Sequence, residues 1–283
     1  MRKILLIILI LAGPGVEAAC SAWSLRKAIE RSLVKVGAES LGAYQGYCIR
    51  MDIRNLSGDS LQIVIEPGRR LRAMNGNYQD ILLTGGERVV LKAGEVKQLR
   101  VKGFCCQLSG LAPSPGVRYE AGALADTPLV LLARYLSLRD LEDQTSQAAV
   151  WALSDRRPTA AITAENDSLA QALREFVAVI KDEVLPWYRI ISKTYRYHNG
   201  VIQVFNLRLQ GTLSYTSGTA DYVTLLVTNA SGETVCEVKQ EWLKPASQGK
   251  YRLDLPVAGL PGGIYQVRLL SPGRELARQE FEI

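Results

Sequence analysis

The chain has 283 residues, 47% of them hydrophobic and 22% charged, a balance that suits a packed core and excludes a disordered or low-complexity polymer. Its net charge of +6 is dispersed among acidic and apolar residues with no block of one sign, which argues against a nucleic-acid-binding stripe and for a solvated surface. That length corresponds to about two domains once a leader is set aside.

The leader comes first. Arg2 and Lys3 form a positive start, Ile4 to Gly13 is apolar, Gly13-Pro14-Gly15 breaks any helix, and Val16-Glu17-Ala18 offers small residues to a signal peptidase. Residues 1–19 therefore read as a secretory signal peptide cleaved near Ala18 or Ala19. The apolar run falls short of the about 20 residues a spanning helix needs. Acylation of Cys20 is an alternative, although lipidation signals place an aliphatic residue where Glu17 stands; a retained anchor is a third. No later segment has 18 apolar residues in a row, so no transmembrane segment is expected after the leader.

Ser24 to Ser32 is a short helix candidate, with Leu25, Ala28 and Ile29 on one face. Strands follow. Ile49, Met51 and Ile53 alternate with Arg50, Asp52 and Arg54, and Leu61, Ile63 and Ile65 alternate again before Pro67-Gly68. Further strands are expected at Ile81 to Leu83, Arg88 to Leu91 and Val96 to Phe104, a spacing that suggests a sandwich-like sheet. The pattern then turns helical. Thr127-Pro128 reads as a capping hydroxyl before a first-turn proline, with Leu129, Leu132, Ala133 and Leu136 on one side. A second helix spans about Asp140 to Leu153, with Gln144, Gln147, Ala148 and Trp151 on a stripe. A third starts after Asn166 or Asp167, carries Leu169, Leu173, Phe176, Val177, Ile180 and Val184, and ends by Pro186.

From about Tyr195 the chain is β throughout. Phe205, Leu207, Leu209, Leu213 and Tyr215 alternate with polar residues, and strands follow at Tyr222 to Thr228, Thr234 to Trp242, Tyr251 to Leu255, Ile264 to Leu270 and Leu276 to Ile283. The expected fold is an α+β N-terminal domain, residues 20–196, holding an immunoglobulin-like β-sheet plus about three helices. An all-β immunoglobulin-like sandwich, residues 197–283, follows it.

Five cysteines are present: Cys20, Cys48, Cys105, Cys106 and Cys236. An exported chain meets an oxidising compartment, so one disulfide from Cys48 to Cys105 or to Cys106 is expected, with the other thiols buried. With a single histidine, His198, and no C-x-x-C step, no metal site or cofactor is expected. A dyad of Cys105 or Cys106 with His198 and the acidic run Asp140, Glu142, Asp143 are the remaining catalytic candidates. His198 falls in the expected interdomain linker, and the carboxylates suit a helix start. Trp187, Tyr188, Tyr195 and Tyr197 read as closing the domain junction.

Two resemblances bear on function. Asn229 to Val235, Leu253-Asp254-Leu255, and Leu260, Pro261, Gly263, Ile264, Tyr265, Val267 and Leu269 resemble the strand-turn-strand step and penultimate hairpin of sorting domains of the type IX secretion system. The aromatic-Pro-Asn-Pro segment that opens such domains is missing. The resemblance implies export across a Gram-negative outer membrane, with the secretion machinery as a partner of the last domain. Phe104-Cys105-Cys106 and Ser146-Gln147-Ala148-Ala149-Val150-Trp151 resemble the two motifs of thioester adhesin domains, with Ser146 where a threonine is usual and a short interval between motifs. That resemblance implies a bond between Cys105 or Cys106 and Gln147; the preferred reading of the same residues is structural, with Gln147 hydrogen-bonded to a strand, Trp151 filling the core and one of the paired cysteines bridged to Cys48. The preferred expectation is a secreted or surface-displayed, non-catalytic binding or structural protein with an extracellular ligand and no nucleic acid. A covalent thioester adhesin and an unrecognised exported hydrolase are the alternatives.

Overall fold

The computed structural model describes residues 22–283, so the expected signal peptide and Cys20 lie outside the described residues. The described residues are richest in strand and include four α-helices, a β-rich α+β fold.

The first domain opens with β1 (Ala22–Ser24) and α1 (Leu25–Glu30), capped by Ser24, whose Oγ accepts from the Lys27 N–H. Then come β2 (Val34–Ser40), β3 (Gln45–Asn55), β4 (Leu61–Val64), β5 (Arg69–Ala73), β6 (Ile81–Leu83), β7 (Arg88–Leu91), β8 (Val96–Cys105) and β9 (Arg118–Leu124). In place of the immunoglobulin-like sheet expected here, six strands close into a barrel of order β2-β3-β8-β6-β5-β9, with β1-β4-β7 as a separate small sheet. Closure comes from β9, which pairs with β2 at Ala38–Tyr119 and with β5 at Leu71–Ala121. Ile49, Met51 and Ile53 point into the barrel, as their alternation required.

Three helices cover one side: α2 (Thr127–Ser137), α3 (Asp143–Ser154) and α4 (Asp167–Lys181), with a 3-10 turn at Thr159–Ala161. The cap of α2 is Asp126, which accepts from the Leu129 N–H, and not the Thr127 hydroxyl expected. α4 is capped by Asn166 and stops at Lys181, because Asp182 turns left-handed at φ 54°. Val184 therefore lies beyond the helix and is 91% exposed. A second apolar core joins Leu82, Phe104 and Cys106 to Leu129, Leu132, Ala149, Val150, Leu173 and Val177.

The last part comprises β10 (Tyr188–Arg196), β11 (Ile202–Ser217), β12 (Asp221–Asn229), β13 (Thr234–Leu243), β14 (Ala246–Pro256), β15 (Ile264–Ser271) and β16 (Arg274–Glu282). Sheets β10-β11-β14 and β13-β12-β15-β16 enclose one core that includes Tyr188, Ile190, Leu209, Leu213, Val227, Leu253, Val267 and Phe281. β10 was assigned by sequence to the first domain, yet it pairs with β11 from Tyr188–Gly211 to Arg196–Ile202 and supplies part of this core. The structural boundary therefore falls near Pro186, not at 196/197.

β11 has 16 residues, more than the sandwich can cover. Its second half keeps the expected alternation, with Leu209, Leu213 and Tyr215 buried, but Phe205 and Leu207 are 36% and 37% exposed. A register shift between Ile191 and Ser192 explains the change of face. Beyond it the β10–β11 hairpin leaves the sandwich, and Ile202 and Val204 pack with Trp151 and Ala112 of the first domain. A fragment beginning at Trp187 is expected to unfold cooperatively in urea. One beginning at Tyr197, stripped of Tyr188 and Ile190, should show no sigmoidal transition, and equal stability of the two would refute this boundary.

Candidate functional site

Consecutive side chains of a strand point to opposite faces, so the end of β8 serves two cores. Cys105 faces the barrel interior with Cys48, while Phe104 and Cys106 lie under the helices. All four described cysteines are free thiols, so neither expected bridge to Cys48 is formed. Cys106 is on the wrong face of β8. Cys105 lies along the ladder from Cys48: its N–H donates to the Tyr44 carbonyl, whereas Cys48 Sγ donates to the Gly103 carbonyl at 3.4 Å. Burial pushes the Cys48 and Cys106 thiols up to about 12 from an ordinary 9.0. Burial, with Cys48 and Cys106 nearby, also holds Cys105 well above that ordinary value. These three buried thiols are protonated at neutral pH, opposite to what an activated nucleophile requires.

Helix α3 brings Gln147 to the same strand end. Gln147 Oε1 accepts from the Cys105 N–H at 3.0 Å, a donor it shares with Tyr44 O, and Gln147 Nε2 donates to Cys105 O at 2.9 Å. The side-chain amide thus extends the strand by one rung. Asp143, in the first turn of α3, pairs with Lys102 of β8 at 2.9 Å. It presses on Gly46 of β3, where a Cβ would fall 2.3 Å from Asp143 Oδ2, and whose φ of +76° already favours glycine. Sequence therefore paired the right elements, Cys105 and Gln147, but they meet through the Cys105 main chain. Cys106 is not part of the contact.

The other candidates stay apart. His198 is exposed in the turn after β10, away from the buried thiols. Asp143 is held by Lys102, and Glu142 accepts from the Glu165 N–H at 3.1 Å. Among the described residues no group of three or more His, Cys, Asp or Glu side chains converges as a metal site, and no helix is long and apolar enough to cross a membrane. Of the four junction aromatics, Trp187 donates to Glu280 O and Tyr188 packs in the sandwich core, while Tyr195 and Tyr197 are exposed.

In the last domain the hairpin motif forms one end of the sandwich. Val267 and Leu269 are fully buried, Tyr265 is buried with its hydroxyl donating to Pro261 O at 2.8 Å, and its ring stacks on Phe281 at 5.5 Å. Leu260 packs at the core edge, Pro261, Gly263 and Ile264 are exposed, and Gly263 and Ile283 exchange both main-chain bonds. Sequence reading missed a cavity between the domains beside Gln147, lined by Gln45, Gln144, Trp151, Arg157, Ser192 and Thr194 among others. These residues come from segments far apart in the chain, and no local spacing marks them. No family model matches this sequence, and no curated protein matches it significantly.

Two outcomes follow from this geometry. Gln147→Leu strips a buried carbonyl of its donor and should lower stability by about 1–3 kcal/mol in urea unfolding, while an unchanged midpoint would remove Gln147 from this role. Thiols raised in the folded state stabilise it fully below their unfolded value and lose that contribution as pH climbs toward the folded one. Stability should therefore fall between about pH 9 and pH 12, by up to about 1.4 kcal/mol per thiol per pH unit. A Cys48→Ala, Cys106→Ala variant should show a shallower alkaline slope.

Proposed function

We propose that this chain is an exported protein, secreted or held at the outer cell surface, that works by binding or as a structural element and has no catalytic centre. In this reading the last domain is an immunoglobulin-like sandwich handled by secretion machinery, and the first domain presents a surface to an extracellular ligand. The observation that carries it is the closed end of the sandwich, where Tyr265 bonds Pro261, stacks on Phe281 and lies beside the Gly263–Ile283 pairing. Of the sorting-like motif, Tyr265, Val267 and Leu269 are buried there, while Pro261, Gly263 and Ile264 stay at the surface. Protonated, buried thiols at Cys105 and Cys106, where β8 ends, support the non-catalytic part.

Fractionation of the native host, with the full chain and with a chain ending before Trp187, tests the sorting role. The truncated chain should accumulate in the periplasm while the full chain reaches the surface or medium. Equal delivery of both rules out sorting by this domain.

The Gln147–Cys105 contact favours a second reading, a covalent adhesin. The Cys105 sulfur would attack the Gln147 carboxamide carbon, an S–C bond would form, the C–N bond would break, and ammonia would leave with the thiol proton. Such a chain would be about 17 Da lighter than its sequence mass and would gain methylamine on treatment. The non-catalytic reading expects the full mass and no methylamine adduct.

A further inference from the structure

The seam between the domains holds a partly open cavity of about 30 Å³. Its walls come from both sides: Gln45 of β3 and Trp151 of α3 from the first domain, Ser192, Thr194 and Val204 of the β10–β11 hairpin from the second. Two lining residues each have a buried polar atom without a hydrogen-bond partner, the indole Nε1 of Trp151 and the amide Oε1 of Gln45. Trp151 is only 3% exposed, so its N–H has little access to bulk water.

Three of the neighbours are committed elsewhere. Gln147 spends its amide on Cys105, and Ser192 Oγ and Arg157 both donate to Asn206 Oδ1. The orphans have opposite sense, since an indole N–H only donates and an amide oxygen only accepts. An occupant must therefore accept at one end and donate at the other. A carboxylate fails at Gln45 Oε1, where two acceptors would face each other, and an ammonium fails at Trp151, where two donors would. Burial already pushes the Arg157 guanidinium below its ordinary value, so an added cation is further disfavoured. A water needs about 10–15 Å³ by this measure, so the space admits one or two small groups and no ring.

We propose that this seam is a binding site for a small hydroxyl-bearing molecule, held by the Trp151 N–H and Gln45 Oε1, which ties the β10–β11 hairpin to the first domain. Anything that binds the joined arrangement and not the separated one stabilises it by mass action. The hydroxyl can be that of solvent water or of an alcohol.

High-resolution crystal structures of the full mature chain distinguish these sources. One crystal is grown free of polyols, and a second is soaked in ethylene glycol. Density within about 3.2 Å of both Trp151 Nε1 and Gln45 Oε1 in the first crystal supports the site with water as its occupant. Density appearing there only after the soak supports it with an alcohol hydroxyl. An empty cavity in both crystals overturns the proposal. A Gln45→Leu chain treated the same way should lose the density, and density persisting unchanged in that variant overturns it as well.

Discussion

The arrangement of the first domain depends on two hydrogen bonds between one side-chain amide and one backbone residue. At the end of β8 the Gln147 amide bonds both the N–H and the C=O of Cys105. A buried amide that donates and accepts at once fixes distance and rotation together, so α3 can seat on the barrel in one way only. The Asp143–Lys102 pair and the close approach of Asp143 to Gly46 fix the other end of the helix. With α3 seated, Phe104 and Cys106 gain an apolar roof and Cys105 is left to the barrel interior. One strand then belongs to two cores, and neither can open without disturbing the other.

The second domain attaches through an excess of strand. Because β10 and β11 continue past the sandwich, their hairpin reaches the first domain, where Arg196 donates to Gly42 O and Pro113 O and Val201 bridges to Leu111. The register shift at Ile191 and Ser192 lets one hairpin serve two cores of different orientation. At the other end of β10, the Tyr188 hydroxyl donates to Glu282 O and accepts from the Glu282 N–H. The strand that enters the sandwich and the strand that ends it are thereby clamped together.

This division of labour explains what could be read in advance. Alternation at Ile49, Met51 and Ile53 and at Leu209, Leu213 and Tyr215 was legible because those strands bury one face and wet the other. β5 was not, because its buried Arg69 is held by Glu66 and by Gly122 O, contacts that no local pattern announces. β9, which closes the barrel, carries small and polar residues along most of its length. β10 was hidden among aromatic and basic residues whose faces are decided by a bulge. At the site, Gln147 bonded to a strand was the expected structural reading and is what forms, but which strand atoms it meets was not legible. Whether an amide meets a thiol or a main chain depends on which way a strand faces, and that is set only when the barrel closes.

The same geometry weighs on the choice between binding and covalent capture. A Cys105–Gln147 thioester would expel the amide nitrogen, and with it the side-chain donor now given to the Cys105 carbonyl. The Cys105 N–H would keep Tyr44 O, but the carbonyl would be left bare in a buried place, at a cost of about 1–3 kcal/mol. The sulfur would also have to leave the barrel interior it shares with Cys48, surrendering apolar contacts there. Burial that raises the thiol pKa opposes the first step in turn, since only the thiolate attacks. An intact amide satisfies the strand end at no such cost, which is why the folded chain favours Gln147 as a structural rung.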